Sequence, residues 1–259
     1  MSAVLAPAGK TRATRAVPAA LRSEWLKFAT LRSQWIAPVC AVVLTVGITA
    51  AVNAAYGKVD HSLGEDPADG LYYGLLFGHV AVAALGILLV GQEFNTRMIG
   101  VSLTAVPHRG RLYAAKLALG AGLGLLTGVV STAGSALAVA GTVGLDLSTP
   151  GLGRSFLAAV LYHPLLVVLC LGLTAVLRNF SAALGLLTPM LFLGTTLLAA
   201  IPGVREAGQF LPDRAGLYAM RTQPDPAIHF GHWTGLLIMA LWAGAAAYGG
   251  LRSLRRYEV

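Results

Sequence analysis

Charge is what this sequence has least of. Only 12% of its 259 residues are Asp, Glu, Lys or Arg, about half the roughly 25% of an average soluble domain. So little polar surface cannot cover a globule of this size, which excludes an ordinary soluble fold. Chain disorder requires low hydrophobicity, and 56% hydrophobic content with a mean hydropathy of +0.70 excludes that as well. The same composition excludes a nucleic-acid-binding basic domain, despite a net charge of +8. Two cysteines are too few for a disulfide-stapled secreted domain. Cys40 and Cys170 each sit in an apolar run and are expected to be small buried hydrophobes. Catalytic signatures are missing too: the chain has no GxxxxGK[ST], HExxH or GxSxG, and no Cys/His spacing suited to zinc. It therefore has no P-loop of its own. No metal site or cofactor is expected in it, and nothing points to an enzyme.

What the chain does have is long apolar runs. A helix crossing the hydrocarbon layer needs roughly 20 mostly apolar residues, and six segments meet or approach that: 35–56, 71–91, 113–140, 155–177, 181–201 and 233–251. The runs are continuous rather than alternating, which favours helix over strand. The expected fold is an all-α integral membrane protein. Lys116 falls near one end of the third run, where its stem is expected to snorkel to the interface. With both termini inside, the cytoplasmic pieces carry 14 of the 19 Lys+Arg, and eight of the eleven acidic residues lie outside. The Lys/Arg asymmetry places both termini in the cytoplasm. The first apolar run begins too late and is too long for a cleaved secretory signal.

Residues 1–18 read as a disordered cytoplasmic tail, leaving 19–259 as a single transmembrane domain. Across 19–34 an amphipathic helix is expected, with Leu21, Trp25, Phe28, Leu31 and Trp35 on one face and Glu24 and Arg32 intruding on it. Such a helix lies in the inner interface, anchored by Trp25, Lys27, Arg32 and Trp35. The inner loop 92–112 is too polar for membrane, and a short helix from about Glu93 to Thr104 is expected there, ended by Pro107 and Gly110. Glu93 can pair with Arg97 at i+4. The outer loop 202–232 has apolar content, so part of it is expected to dip back toward the membrane. Gly120, Gly124 and Gly128 mark a helix-packing face on the third span. The GxGxG at 120–124 is not a dinucleotide fingerprint, because no strand precedes it and it lies within an apolar run. His79 and His163 lie inside spans, where ionisable groups are functional candidates or packed neutral histidines. His79 follows Tyr72, Tyr73, Gly74, Phe77 and Gly78, a set suited to lining a cavity. His163 precedes Pro164, where a kink is expected.

Several of these segments are familiar together. LRSEWLKFATLRSQW (21–35), GQEF (91–94) with Thr96 and Arg97, LTAVPHR (103–109), AAK (114–116) and FLP (210–212) occur in an order that resembles bacterial ATP-binding-cassette type-2 permeases. The resemblance covers most of the chain. It departs where the family often has a glycine-threonine pair and this chain has Arg97 and Met98. It implies a permease subunit in the bacterial plasma membrane, with six spans, an N-terminal connecting helix and a cytoplasmic coupling helix. By position, Glu93, Phe94, Arg97, Pro107 and Arg109 would contact a separate P-loop ATPase subunit, which would bind the ATP and Mg. A second permease chain, identical or homologous, would complete a dimer in the lipid bilayer. The pathway for a hydrophobic or amphiphilic substrate would then draw on Tyr73, Phe77, His79, Thr195 and Thr196, and export is the expected direction. Two other readings stand beside it: a non-transporting accessory or sensor subunit of such a complex, and a proton-coupled secondary transporter using His79. Inverted repeats would support the latter, and the sequence has none.

Overall fold

The computed structural model describes residues 11–56, 66, 68–96, 98–100, 108–191, 201 and 205–256. Among these there is helix, turn and loop but no strand. In chain order the helices are α1 (Thr11–Thr30), α2 (Ile36–Tyr56), α3 (Asp69–Tyr72), α4 (Leu75–Asn95), α5 (Arg109–Thr142), α6 (Leu152–Leu177), α7 (Phe180–Pro189), α8 (Arg205–Gly208), α9 (Pro212–Met220) and α10 (His232–Arg255). A 3-10 turn, Arg32–Trp35, joins α1 to α2. Among the described residues five helices are long and apolar enough to cross a membrane: α2 with its preceding turn, α4, α5, α6 and α10. The protein is an all-α, multi-pass membrane protein. Its surface agrees, since Val39, Val43, Leu126, Leu137, Leu237 and Leu241 are exposed along the spans, as lipid-facing side chains are.

The sixth expected segment is described only as the ten-residue α7, followed by a π turn at Met190–Leu191. Residues 192–200, which include Thr195 and Thr196, lie outside the described residues, as do Arg97 and Pro107.

α6 is the hub and packs against α4, α5, α7, α9 and α10. Small residues let the helices approach, as expected where lipid supplies no hydrophobic drive. A Cβ on Gly124 would sit 2.7 Å from the Pro164 Cα, and one on Gly128 would sit 2.6 Å from the Val160 carbonyl oxygen. That carbonyl is the one Pro164 leaves without its helical N–H partner, so α5 crosses α6 where the ladder is broken. The glycine face expected on the third span is this contact. On the other side, α2 buries Ala41, Thr45, Thr49 and Asn53 at four-residue spacing. Gly74 and Gly78 seat against the Thr45 backbone and hydroxyl. The Gly74–Gly78 pair therefore closes the α2–α4 contact rather than lining a cavity.

The two ends of the bundle differ. One end, called the near end here, gathers α1, the last turn of α4, the start of α5 and the end of α10. Arg109 Nη1 donates to the Leu254 and Arg255 carbonyls at 3.0 and 3.2 Å, satisfying acceptors that a helix C-terminus leaves open. Arg178 Nη2 donates to the Ser253 carbonyl at 2.6 Å. At the far end lie α3, the 143–151 turn, α9 and the 221–231 loop. Here α9 is a buried helix within the expected outer loop, its Gly216 seated on Tyr162 and Met239.

Three local expectations change. The first helix begins at Thr11, inside the expected disordered tail, in a stretch containing the strong helix formers Ala13, Ala16, Ala19 and Ala20. Its buried face is Ala20, Glu24 and Phe28, while Leu21 and Trp25 are exposed, and it ends at Thr30, short of the expected 34, with Leu31 extended and exposed before the 3-10 turn. Glu93 and Phe94 belong to the last turn of α4 rather than to a new helix beginning at Glu93. Cys40 is exposed on α2, and only Cys170 is buried.

Candidate functional site

Four charged side chains, two of each sign, meet at the near end where α1, α4 and α5 converge. Lys116 Nζ lies 2.6 Å from Glu24 Oε2 and 2.9 Å from Glu93 Oε1. Its third contact is the Leu89 carbonyl oxygen at 3.3 Å, so all three ammonium protons have acceptors. Lys27 Nζ lies 2.8 Å from Glu24 Oε1 and 3.1 Å from Glu93 Oε1. The Lys116 and Glu24 side chains are 2% and 5% exposed, Glu93 13% and Lys27 44%. The four-residue set therefore runs from fully enclosed to half-open with no net charge.

Local sequence explains how the set assembles. Glu24 sits between Ala20 and Phe28 at helical spacing, so the face that buries Phe28 buries Glu24 with it. Glu93 follows Leu89 by one turn on α4. Gly120, one turn beyond Lys116, packs on Leu89 and brings α5 close enough for Nζ to reach the α4 backbone. Burial works against the Lys27 ammonium, but the Glu24 and Glu93 carboxylates outweigh it and raise its pKa above the usual lysine value.

Lys116 is thus no interfacial snorkel. It lies two turns into α5, because the helix starts at Arg109 and adds a turn before the apolar run. Lys27 faces this network rather than lipid headgroups alone. The other expected anchors form an aromatic cluster beside it: Trp35 meets Trp25 edge-on at 6.3 Å and packs on Phe28 at 4.9 Å, and Arg32 is exposed. Gln34 Nε2 donates to Gln92 Oε1 at 3.3 Å, a second link from the segment before α2 to the end of α4. Phe94 is half-buried against the core. Arg109 caps α10 from the start of α5.

Of the expected pathway residues, Tyr73, in the turn between α3 and α4, and Phe77, on α4, are 39% and 43% exposed, while His79 is fully buried on the inner side of α4. The three do not converge. Neither His79 ring nitrogen has a hydrogen-bond partner among the described residues. The Leu191 carbonyl approaches the ring without hydrogen-bond geometry. Asp213, at the start of α9, lies within electrostatic reach of His79, Tyr162 and Cys170. It accepts a 2.6 Å hydrogen bond from the Tyr162 hydroxyl. His163 Nδ1 bonds the Ala159 carbonyl at 2.9 Å and its ring packs over Gly128. Among the described residues no group of three or more His, Cys, Asp or Glu is arranged to hold a metal.

Sequence reading missed the Lys116–Glu24 contact and the buried place of Asp213. The signal for the first was available: an acid on the apolar side of one helix and a base inside an apolar run are natural partners. For Asp213 the only hint was an acid in a proline-led, partly apolar segment. No family model matches this sequence, and no curated protein matches it.

Proposed function

We propose that this chain is the membrane-spanning permease subunit of an ATP-binding-cassette exporter, paired with a second permease chain and driven by a separate ATPase subunit. The observation that carries the reading is the near-end network. Glu93 and Phe94, which by resemblance stand at the ATPase contact, lie on the last turn of α4 next to the inner loop. Lys116 and Lys27 bind Glu93 to α5 and α1. A displacement of the 92–110 segment by nucleotide-driven closure of the ATPase would then move α1, α4 and α5 together, shifting the population between inward- and outward-facing states. Six crossings fit the same reading, since α7 starts at the near end and α10 starts at the far end.

The test is purification of the tagged chain from its native membrane, followed by an ATPase assay of what co-purifies, with Glu93→Ala and Arg97→Ala alongside. The expected result is a P-loop ATPase retained by the wild type and lost or uncoupled in the variants. Absence of any ATPase after gentle extraction overturns the reading. One observation favours proton-coupled transport as a second reading: the enclosed His79 lies within electrostatic reach of the Asp213 carboxylate. Transport that follows a proton gradient, ignores nucleotide and is lost in His79→Ala would replace the first reading with this one.

A further inference from the structure

The far end holds a cavity of about 350 Å³ between α3, α9 and the 221–231 loop, within the usual range of small-molecule sites. Its charges are unevenly matched. Arg221 serves two carboxylates, with Nη2 3.3 Å from Asp69 Oδ2 and Nη1 3.2 Å from Asp225 Oδ2. Both carboxylates stay about a third exposed, at 32% and 30%. Arg214 lines the same cavity, only partly exposed, and makes no hydrogen bond or ion pair among the described residues. The four charges sum to zero, yet negative charge is in excess at Asp69 and Asp225 and positive charge is unmatched at Arg214. Leu217 and Ile228 add apolar wall.

Within the loop Asp225 Oδ1 accepts from the Ala227 amide at 2.9 Å, and the walls are further held by bonds outside the four charged side chains. Asp66 accepts from the Thr222, Gln223 and Ala68 amides at 2.8, 2.9 and 2.9 Å, and also from the Thr222 hydroxyl. Arg154 donates to the Ala219 carbonyl at 2.7 Å and to the Arg221 carbonyl, and Ser155 donates to the Met220 carbonyl. The loop carrying Arg221 and Asp225 is therefore fixed before any ligand arrives, which lowers the cost of binding one. Burial raises the pKa of the Asp69 carboxyl, and the nearby Asp66 charge adds to that, even though Arg221 opposes the shift. Asp69 is an under-neutralised carboxylate that a second cation would satisfy.

We propose that this cavity binds a small zwitterion, its ammonium at the Asp69–Asp225 pair and its anionic group on Arg214, with any apolar part against Leu217 and Ile228. The site is independent of the permease reading and needs neither ATP nor an ATPase. A phosphoethanolamine-type zwitterion can come from a phospholipid headgroup or from a free solute, so the test has two arms. Full-length protein in phosphatidylglycerol nanodiscs is titrated calorimetrically with phosphoethanolamine, and separately with choline and with inorganic phosphate. Phosphoethanolamine is expected to bind, with each single-charge fragment about tenfold weaker or worse, the worth of one charge-assisted hydrogen bond. Arg214→Gln and Asp225→Asn should each weaken it by a similar factor while leaving the thermal unfolding midpoint in place. In phosphatidylethanolamine nanodiscs, suppressed binding assigns the site to the lipid headgroup, and unchanged binding assigns it to a free solute. Absence of phosphoethanolamine binding in phosphatidylglycerol, phosphate binding as tightly as the zwitterion, or unchanged binding by Arg214→Gln overturns the proposal.

Discussion

Replacing Lys116 with methionine removes the one ammonium that Glu24 and Glu93 share inside the protein, with little change in side-chain volume. The wild-type set is neutral, and Lys116 supplies the shorter of the two contacts to each carboxylate, Glu24 on α1 and Glu93 on α4. After the substitution both carboxylates remain against α5, and the half-exposed Lys27 is their only partner within the set. Removing one member of a buried ion pair costs about 3–5 kcal/mol, because the remaining charge stays desolvated. For a chain of this size that corresponds to a fall of roughly 6–20 °C in unfolding midpoint. The assay is thermal unfolding in detergent with Lys116→Met, Glu24→Gln and the double variant. The double variant removes one charge of each sign and leaves Glu93 matched by Lys27, so it is expected to be more stable than Lys116→Met alone. A coupling of about 1 kcal/mol or more between the two sites is the signature of direct contact. A Lys116→Met midpoint within about 2 °C of wild type, or strict additivity in the double variant, would refute the argument. If the network also ties α1 to the span ends, α1 amides exchange faster in Lys116→Met than in the double variant.

Two further outcomes follow from other contacts. Hydrogen bonds to Thr222, Gln223 and Ala68 hold the Asp66 carboxyl below its usual pKa despite burial. Its stabilising contribution is therefore fully present above the unfolded value of about 3.9 and is lost as pH falls through the lower folded value. Exchange of the 221–223 amides should accelerate below about pH 4 in the wild type, whereas Asp66→Asn should show faster exchange at neutral pH and little further acid dependence; a wild-type loop indifferent to acid contradicts this. On the α5–α6 contact, Gly124→Val places side-chain atoms against the Pro164 backbone and should cost about 1–3 kcal/mol by overpacking. Gly122→Val, which meets open space, serves as the control, and equal midpoints for the two variants would contradict the close approach.

The membrane class and the asymmetry of the two ends are properties of composition and of residue order along each run. Twenty apolar residues in a row need burial in lipid or protein whatever their neighbours are, and Lys/Arg content is counted loop by loop. The Gly120–Gly124–Gly128 face is also local, because residues four apart share a helix side before any partner is chosen. Contacts between distant segments obey no such spacing. Lys116 and Glu24 are 92 positions apart, and nothing in either helix alone reveals that Gly120 on Leu89 and Phe28 in the core bring them within 2.6 Å. The same distinction separates His79 from Phe77: two residues apart in sequence, they fall on opposite sides of α4, and only the packing of α2, α6 and α7 around that helix decided which side is the interior. That the described runs are helical and apolar, and at which end their charges lie, follows from residue order alone. Tertiary structure decided which charges neutralise one another, because a buried ion pair is settled by the geometry of three helices converging and not by the propensity of any one of them.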